Sequence, residues 1–283
     1  MNYVAFYEKT MEYLRERAAA HNVSEEELEL YFSPETGNGE LYFCYGNRTV
    51  ENLFFRFAFH AQNATMIREV IRFPRVQGTP RRLAFEEVLC GFDPAAVIER
   101  YHNSEEELFD AFVSKIGGFK IGADYKKSLP YAYSMSLMSA ARLLTRAPFN
   151  TYDGFVDTLV SYGALAPVFI SFEVYRFDIA LACDLIKELG IIDLPKPDVH
   201  IREVLFELGL IRTRAGTKAD YLSIRAIDGI VSEVRTKYPT VTAYEIDKMI
   251  WLVSTETFYI HDDVRNSKDT KRKAYLEYIK AFV

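Results

Sequence analysis

Asp198 and His200 are the residues of this sequence whose setting is best suited to chemistry. They stand in the stretch LPKPDVHIREVL, residues 194–205, where two prolines lead into an Asp-x-His pair and an amphipathic helix begins at once. Pro195 and Pro197 favour extended backbone in the residues before them, so the chain is stiff where it reaches the carboxylate. A rigid carboxylate at a helix start can stabilise a developing positive charge or activate a water molecule without rearranging.

The same pattern also has a purely structural interpretation. Asp198 is suited to be the N-cap of a helix over 199–209, where its carboxylate accepts a hydrogen bond from a backbone amide near residue 200 or 201 and stabilises the helix by about 0.5–2 kcal/mol. His200 is suited to be a hydrogen-bonding residue in the first turn. On these residues alone capping is the commoner role, so the two interpretations of Asp198 stay open.

Other chemistries have weaker support in the sequence. The five histidines do not show a metal-ligand spacing such as H-E-x-x-H, and the three cysteines do not form a C-x-x-C pair. The segment HDD, residues 261–263, is more typical of a polar loop than of a metal site. The glycine-rich stretch IGGFKIGADYKKSLP, residues 116–130, lacks a Walker lysine pattern and dinucleotide-binding spacing, so it is predicted to be a loop. No metal and no cofactor is expected.

Composition and charge indicate an ordinary globular protein with an uneven charge distribution. The chain has 283 residues, of which 49% are hydrophobic and 26% are charged, and its formal net charge is −6. This charge argues against a protein that binds polyanions over its whole surface, but a local basic face is enough to neutralise phosphates. Acidic runs lie early in the chain and basic residues collect later, so any DNA contact is expected after residue 115. These later cations include Arg202, Arg212, Arg214, Lys218, Arg225, Arg235 and Lys237.

The hydrophobic periodicity predicts a mainly α fold. Capping boxes at Ser24–Glu27, Ser104–Glu107 and Thr242–Glu245 predict three helix starts, because each Ser or Thr can accept from the amide three residues later. Gly190 and Gly209 follow apolar helical patterns and are suited to be left-handed helix terminators. These signals are local, and they predict helices over most of the chain.

The rest of the chain gives a coarse organisation. Residues 31–47 have the sequence YFSPETGNGELYFCYGN, in which Gly37-Asn38-Gly39 can form a small β-hairpin in the N-terminal part. We expect an N-terminal, mostly helical lobe over 1–120 and a helical domain over 121–283. The N-terminus lacks the layout of a signal peptide, and no apolar run is expected to approach the length of about 20 residues that a membrane span needs. The protein is therefore expected to be cytoplasmic, nucleoid-associated if microbial, with no membrane partner.

The stretch FDIALACDLIKELGIIDLPKPDVHIREVL, residues 177–205, combines a helix, a glycine stop, a proline-containing loop and an Asp-Val-His helix start. It resembles the helix-hairpin-helix DNA glycosylases, the HhH-GPD superfamily, over residues 150–210. In that family a hairpin between two helices binds the DNA backbone, and the aspartate of a Val-Asp-x-His-like segment is the catalytic carboxylate. The segment PDVH places Asp198 and His200 at the family's Asp and His. The resemblance implies a two-lobed, helical glycosylase-like fold and double-stranded DNA with a modified base as partner.

The resemblance also implies positions for the remaining site residues. Counting back from Asp198 by the family's usual separation reaches Asp178, which places the hairpin within Phe172–Asp178. The DNA-binding residues implied are Val174, Tyr175, Arg176, Phe177, His200 and Lys218. The rings implied for a pocket that holds a flipped base are Trp251, Phe258 and Tyr259, with Tyr175 as a further ring that can stack.

The sequence departs from the family's pattern in two places. The hairpin has no glycine between Ala164 and Leu189, and Asp178 or Ile179 stands where members that also cut the strand carry a lysine nucleophile. The expected activity is therefore monofunctional hydrolysis of an N-glycosidic bond, with Asp198 as essential carboxylate. Two alternatives stay open: a catalytically inactive DNA-binding module of the same fold, and a helical interaction protein in which Asp198 is only a cap.

The missing lysine predicts that no Schiff base forms between the protein and an abasic or excised site. Borohydride treatment of the protein with a substrate duplex should trap no covalent complex, whereas a lysine-dependent glycosylase treated in parallel should be trapped. A trapped band with this protein would show that another amine, such as that of Lys187 or Lys196, acts as nucleophile and that the hairpin is misaligned.

Overall fold

The computed structural model of the chain describes residues 2–32, 48–64, 67–74, 77–258 and 268–282. All regular secondary structure in these residues is helical, which confirms the mainly α class. The glycine pair of the predicted β-hairpin lies outside the described residues. In chain order the α-helices are α1 (Tyr3–Ala20), α2 (Glu25–Leu30), α3 (Val50–Ala61), α4 (Ile67–Ile71), α5 (Pro80–Val88), α6 (Pro94–Arg100), α7 (Glu105–Lys115), α8 (Leu129–Leu144), α9 (Tyr152–Tyr162), α10 (Ala166–Glu173), α11 (Ile179–Glu188), α12 (Val199–Glu207), α13 (Thr217–Val234), α14 (Ala243–Thr255) and α15 (Lys268–Ile279).

The chain folds into two compact units, and it passes from the second unit back into the first inside α11. Unit 1 consists of Met1–Tyr45 and Ile186–Val283, and unit 2 consists of Gly46–Leu185. The division predicted at residue 120 lies inside unit 2, so the expected lobes 1–120 and 121–283 do not coincide with the compact units. The glycine-rich stretch near residue 120 connects α7 and α8 within unit 2.

Hydrogen bonds confirm predicted helix starts, and the backbone angles of two glycines confirm the predicted stops. At the start of α2 the Ser24 hydroxyl accepts from the Glu27 amide (3.2 Å), and the Glu27 carboxylate accepts from the Ser24 amide (2.8 Å). Thr242 caps α14 by accepting from the Glu245 amide at 3.2 Å. Past the ends of α11 and α12, Gly190 and Gly209 have φ of 87° and 72°, which only glycine adopts without strain.

Unit 1 is built around α12, α13 and α14, with the two chain ends packed against them. Fully buried side chains from the first helix and from the C-terminal half, such as Leu14, Leu205 and Ile250, share one core. The Thr10 and Tyr275 hydroxyls, both buried, are 2.8 Å apart and tie α1 to α15. The first helix therefore needs the C-terminal helices to bury its apolar face.

Unit 2 has an aromatic core that holds the segment of the predicted hairpin. Phe57 of α3 packs against Phe155 and Phe177, with ring centroids 5.8 and 5.4 Å apart. Tyr133 of α8 is fully buried and donates its hydroxyl to the Ala58 carbonyl at 2.8 Å. The side chain of Phe177 thus anchors the chain between α10 and α11.

One segment of unit 2 corrects the expectation that no membrane-length apolar run is present. Tyr152–Glu173, 22 residues formed by α9, a short 3-10 turn and α10, is long and apolar enough by length and composition to cross a membrane, a test that core helices of soluble proteins also pass. Its charged residues are Asp153, Asp157 and Glu173, and Gly163, which has a positive φ of 51°, ends α9 within it. Only 28% of its most apolar window is buried, and Leu165 and Phe172 are exposed. Cytoplasmic localisation stays a prediction.

Candidate functional site

Asp198 caps α12 with one of its two carboxylate oxygens. Its Oδ1 accepts from the His200 amide at 2.8 Å and from the Ile201 amide at 3.0 Å. Its backbone is extended (φ −73°, ψ 177°), as an N-cap requires. Within the described part of the chain, Oδ2 accepts no hydrogen bond, and the side chain is half-buried. The cap is therefore present, and it leaves one oxygen of the carboxylate available for chemistry.

The segment before Asp198 is fixed by burial and by two backbone hydrogen bonds. Pro195 and Pro197 are buried. The Lys196 amide donates to Asp247 Oδ2 at 3.1 Å, and the Asp198 amide donates to the Lys196 carbonyl at 2.8 Å. The stiffness predicted from the prolines is thus reinforced by a contact with α14.

Asp247 is a buried carboxylate with a buried counter-ion. It is 4% exposed, and its Oδ2 lies 3.1 Å from the Lys187 ammonium nitrogen at the end of α11. Burial raises the pKa of the Asp247 carboxyl above its usual range, the Lys187 ammonium opposes this shift, and the negative charge of Asp198 raises that pKa further. The two carboxylates and the lysine therefore form one electrostatically coupled group in unit 1.

Sequence reasoning missed Asp247 and Lys187. Asp247 stands directly after Ile246 and shortly before Met249 and Ile250, so it borders the apolar face of α14. A charged residue beside a core-facing stripe is a signal that a buried partner exists. Nothing local identifies that partner, because Lys187 lies on another helix.

His200 and Trp251 lie beside this group on the elements that carry it. The Nδ1 atom of the half-buried His200 lies 3.4 Å from Oγ of the buried Ser254. Trp251 is also half-buried, and the Lys248 ammonium lies 5.4 Å from its ring centroid. His200 therefore contacts α14, and Trp251 keeps part of its ring accessible.

Phe258 belongs to the core of unit 1. Its side chain is fully buried, and its ring packs against those of His21 (5.7 Å) and Tyr31 (6.0 Å). A ring in this position supports the fold and has no free face for a flipped base. Tyr259 lies outside the described residues.

The predicted hairpin is a five-residue turn between α10 and α11 in unit 2. The side chains of Val174 and Phe177 are buried, so any contact they make with DNA comes from their backbone. Tyr175 is 45% exposed and Arg176 is exposed. The turn therefore presents one ring and one cation to solvent.

Arg176 adopts the backbone conformation that glycine usually supplies. Its φ is 59°, in the left-handed region. The Tyr175 amide donates to Ser139 Oγ (2.9 Å) and the Phe177 amide to the Val174 carbonyl (3.1 Å). Among the described residues, the amides of Arg176 and Asp178 have no acceptor, and both residues are exposed. These two amides are available to an anion.

Two further residues complete the predicted set. Asp178 accepts from the Leu181 amide at 2.8 Å, so it caps α11. Lys218 is exposed in the first turn of α13 and forms no ion pair with another described residue. Its ammonium group is therefore available to a phosphate.

No protein-family model, curated protein or solved structure matches the chain. Within the described residues, no group of three or more His, Cys, Asp or Glu side chains is placed to hold a metal ion, and residues 261–263 lie outside them.

The burial of Phe258 predicts a large loss of stability on truncation. Phe258→Ala should lower the free energy of unfolding by about 3–5 kcal/mol, because it removes a buried ring and leaves a cavity. Trp251→Ala, which removes a half-exposed ring, is the matched variant and should cost less. Denaturant unfolding followed by circular dichroism measures both. A Phe258→Ala protein as stable as the parent would show that this ring is not part of the core.

Proposed function

We propose that the protein is a monofunctional DNA glycosylase that hydrolyses the N-glycosidic bond of a modified base in double-stranded DNA, with Asp198 as the essential carboxylate. The observation that carries the proposal is the cap of α12. Asp198 is held by two amides through Oδ1 and keeps Oδ2 unengaged by any described residue. Any role of Asp198 beyond capping requires the second of these features.

The chemistry needs a fixed negative charge. Breaking a base–sugar bond develops positive charge on the sugar, and a carboxylate that does not have to reorganise stabilises that charge. The two amide hydrogen bonds to Oδ1 fix the plane of the Asp198 carboxylate. Oδ2 is then free to face the sugar cation, or to accept a proton from the attacking water.

The hairpin supplies a means of binding the DNA backbone. The amides of Arg176 and Asp178 are unengaged among the described residues, and the side chain of Arg176 is exposed. Backbone amides around a left-handed residue form a concave site for an anion. Arg176 adds a bidentate cation, which partly replaces the close approach that glycine allows.

Each unit carries an aromatic residue that supports recognition of a flipped base. The accessible candidates are Tyr175 in the hairpin and Trp251 on α14, each with part of its ring exposed. A base taken out of the duplex stacks on such rings, and stacking is tolerant of base identity. The modified base itself is left to a screen of duplexes with oxidised, alkylated or deaminated bases.

The first test separates capping from catalysis at Asp198. Asp198→Asn keeps a good N-cap, so its melting temperature should stay within a few degrees of the parent. Base release from the duplex found by the screen should fall by orders of magnitude, while binding to the same duplex persists. Asp198→Ala is the control for the cap and should lose about 0.5–2 kcal/mol of stability.

Full base release by Asp198→Asn would remove Asp198 from the mechanism. No release by the parent from any duplex, with binding retained, would favour the inactive DNA-binding module. No binding at any salt concentration would favour the helical interaction protein.

The second test locates the DNA-binding surface. Arg176→Ala and Lys218→Ala should weaken binding to all sequences and flatten the plot of log K against log salt, since each phosphate contact contributes roughly 0.9 to its slope. Arg15→Ala, an exposed cation in the acidic early part of the chain, is the matched control and should leave the slope unchanged. Unchanged slopes in the first two variants would place the DNA elsewhere.

A further inference from the structure

Asp247 receives hydrogen bonds from two segments of unit 1 that converge beside α12. Its Oδ2 accepts from the Lys196 amide and from the Lys187 ammonium group, each at 3.1 Å. Lys187 is in the last turn of α11, and Lys196 is in the segment between α11 and α12. Asp247 Oδ2 on α14 thus binds both the end of α11 and the segment that leads into α12.

The contact with Lys196 matters because this segment has few backbone donors. Pro195 and Pro197 carry no N–H, so Lys196 and Asp198 provide the two amides of residues 195–198. The Lys196 amide donates to Asp247, and the Asp198 amide donates to the Lys196 carbonyl. The backbone of Asp198 is therefore fixed to α14 through Lys196.

Lys187 provides the charge balance that this arrangement needs. The carboxylates of Asp247 and Asp198 repel each other, and Asp247 is almost fully buried. The side chain of Lys187 is 11% exposed, and its ammonium group also lies 5.3 Å from the ring centroid of Tyr244. A buried carboxylate with a hydrogen-bonded ammonium partner avoids the large cost of an unpaired buried charge.

We propose that Asp247 is a positioning residue for Asp198, with Lys187 as its counter-ion. The bond from the Lys196 amide to Asp247 fixes the backbone before α12, and this fixes the direction in which Asp198 Oδ2 points. The consequence for catalysis rests on the proposed function. The positioning itself is a property of unit 1 and does not depend on it.

Two double variants isolate the hydrogen bond from the charge pair. Lys187→Met with Asp247→Leu replaces both charges by apolar side chains, an exchange that buried ion pairs often tolerate without loss of stability. Lys187→Met with Asp247→Asn also removes both charges but keeps a side-chain oxygen that can accept from the Lys196 amide. The two proteins differ at residue 247 alone, where Asn supplies the acceptor oxygen together with an amide NH2 group and Leu supplies neither. Glu256→Gln is the matched control, because Glu256 is a buried carboxylate at the end of α14 that pairs with Arg17 away from the segment.

Amide hydrogen exchange at Lys196 and Asp198 measures directly how firmly this segment is held. In the Leu double variant, exchange at Lys196 and Asp198 should rise at least about tenfold, the effect of losing one net hydrogen bond. In the Asn double variant and in Glu256→Gln it should stay near the parent rate. Equal exchange at these amides in the two double variants would overturn the positioning role.

Base release then tests the catalytic consequence. The Leu double variant should release base about a hundredfold more slowly, the size of effect expected when a reacting group is misplaced by about 1 Å, with unchanged DNA affinity. The Asn double variant should recover most of the rate. If exchange changes as expected but the parent releases no base from any duplex, the positioning holds and the proposed function fails. If exchange changes and both double variants release base at the parent rate, Asp247 does not position a catalytic group.

Discussion

The scarcity of backbone donors before α12 is the constraint on which the candidate site depends. Two prolines remove half of the amides from residues 195–198, and the two that remain are both engaged. The Lys196 amide donates to the buried Asp247 carboxylate of α14, and the Asp198 amide donates to the Lys196 carbonyl. An aspartate placed this way keeps its orientation without help from a bound ligand, which is what electrostatic preorganisation requires.

In the hairpin of unit 2, Arg176 has the positive φ that glycine usually adopts. A left-handed backbone costs a non-glycine residue about 1–2 kcal/mol, so an arginine at this position has to be supported by its surroundings. That support comes from the buried side chains of Val174 and Phe177 on either side and from the bond between the Tyr175 amide and Ser139. Arg176 therefore adds a positive charge at a position where glycine would provide only its backbone amide.

The sequence was sufficient for features that local hydrogen bonds determine. The capping box at Ser24, the side-chain cap at Thr242, the stop at Gly209 and the cap at Asp198 each involve residues within a few positions of one another. It was not sufficient for contacts between distant segments. Lys187 and Asp247 are 60 residues apart, and Thr10 and Tyr275 are 265 apart, so neither pairing leaves a periodic or spacing signal. The division of the chain depends on such pairings, which explains why the boundary expected at residue 120 differs from the compact units.

The most direct test of the central claim is whether Asp198 prefers a positive charge at the sugar position. Affinities of the parent and of Asp198→Asn would be compared for two duplexes, one with a cationic azasugar and one with a neutral tetrahydrofuran at the same site. This measurement needs no knowledge of the natural base. We expect the parent to bind the cationic duplex more tightly than the neutral one, and Asp198→Asn to lose that preference while it binds the neutral duplex as before. Equal preference for the cationic duplex in both proteins would contradict the proposed role of the Asp198 carboxylate.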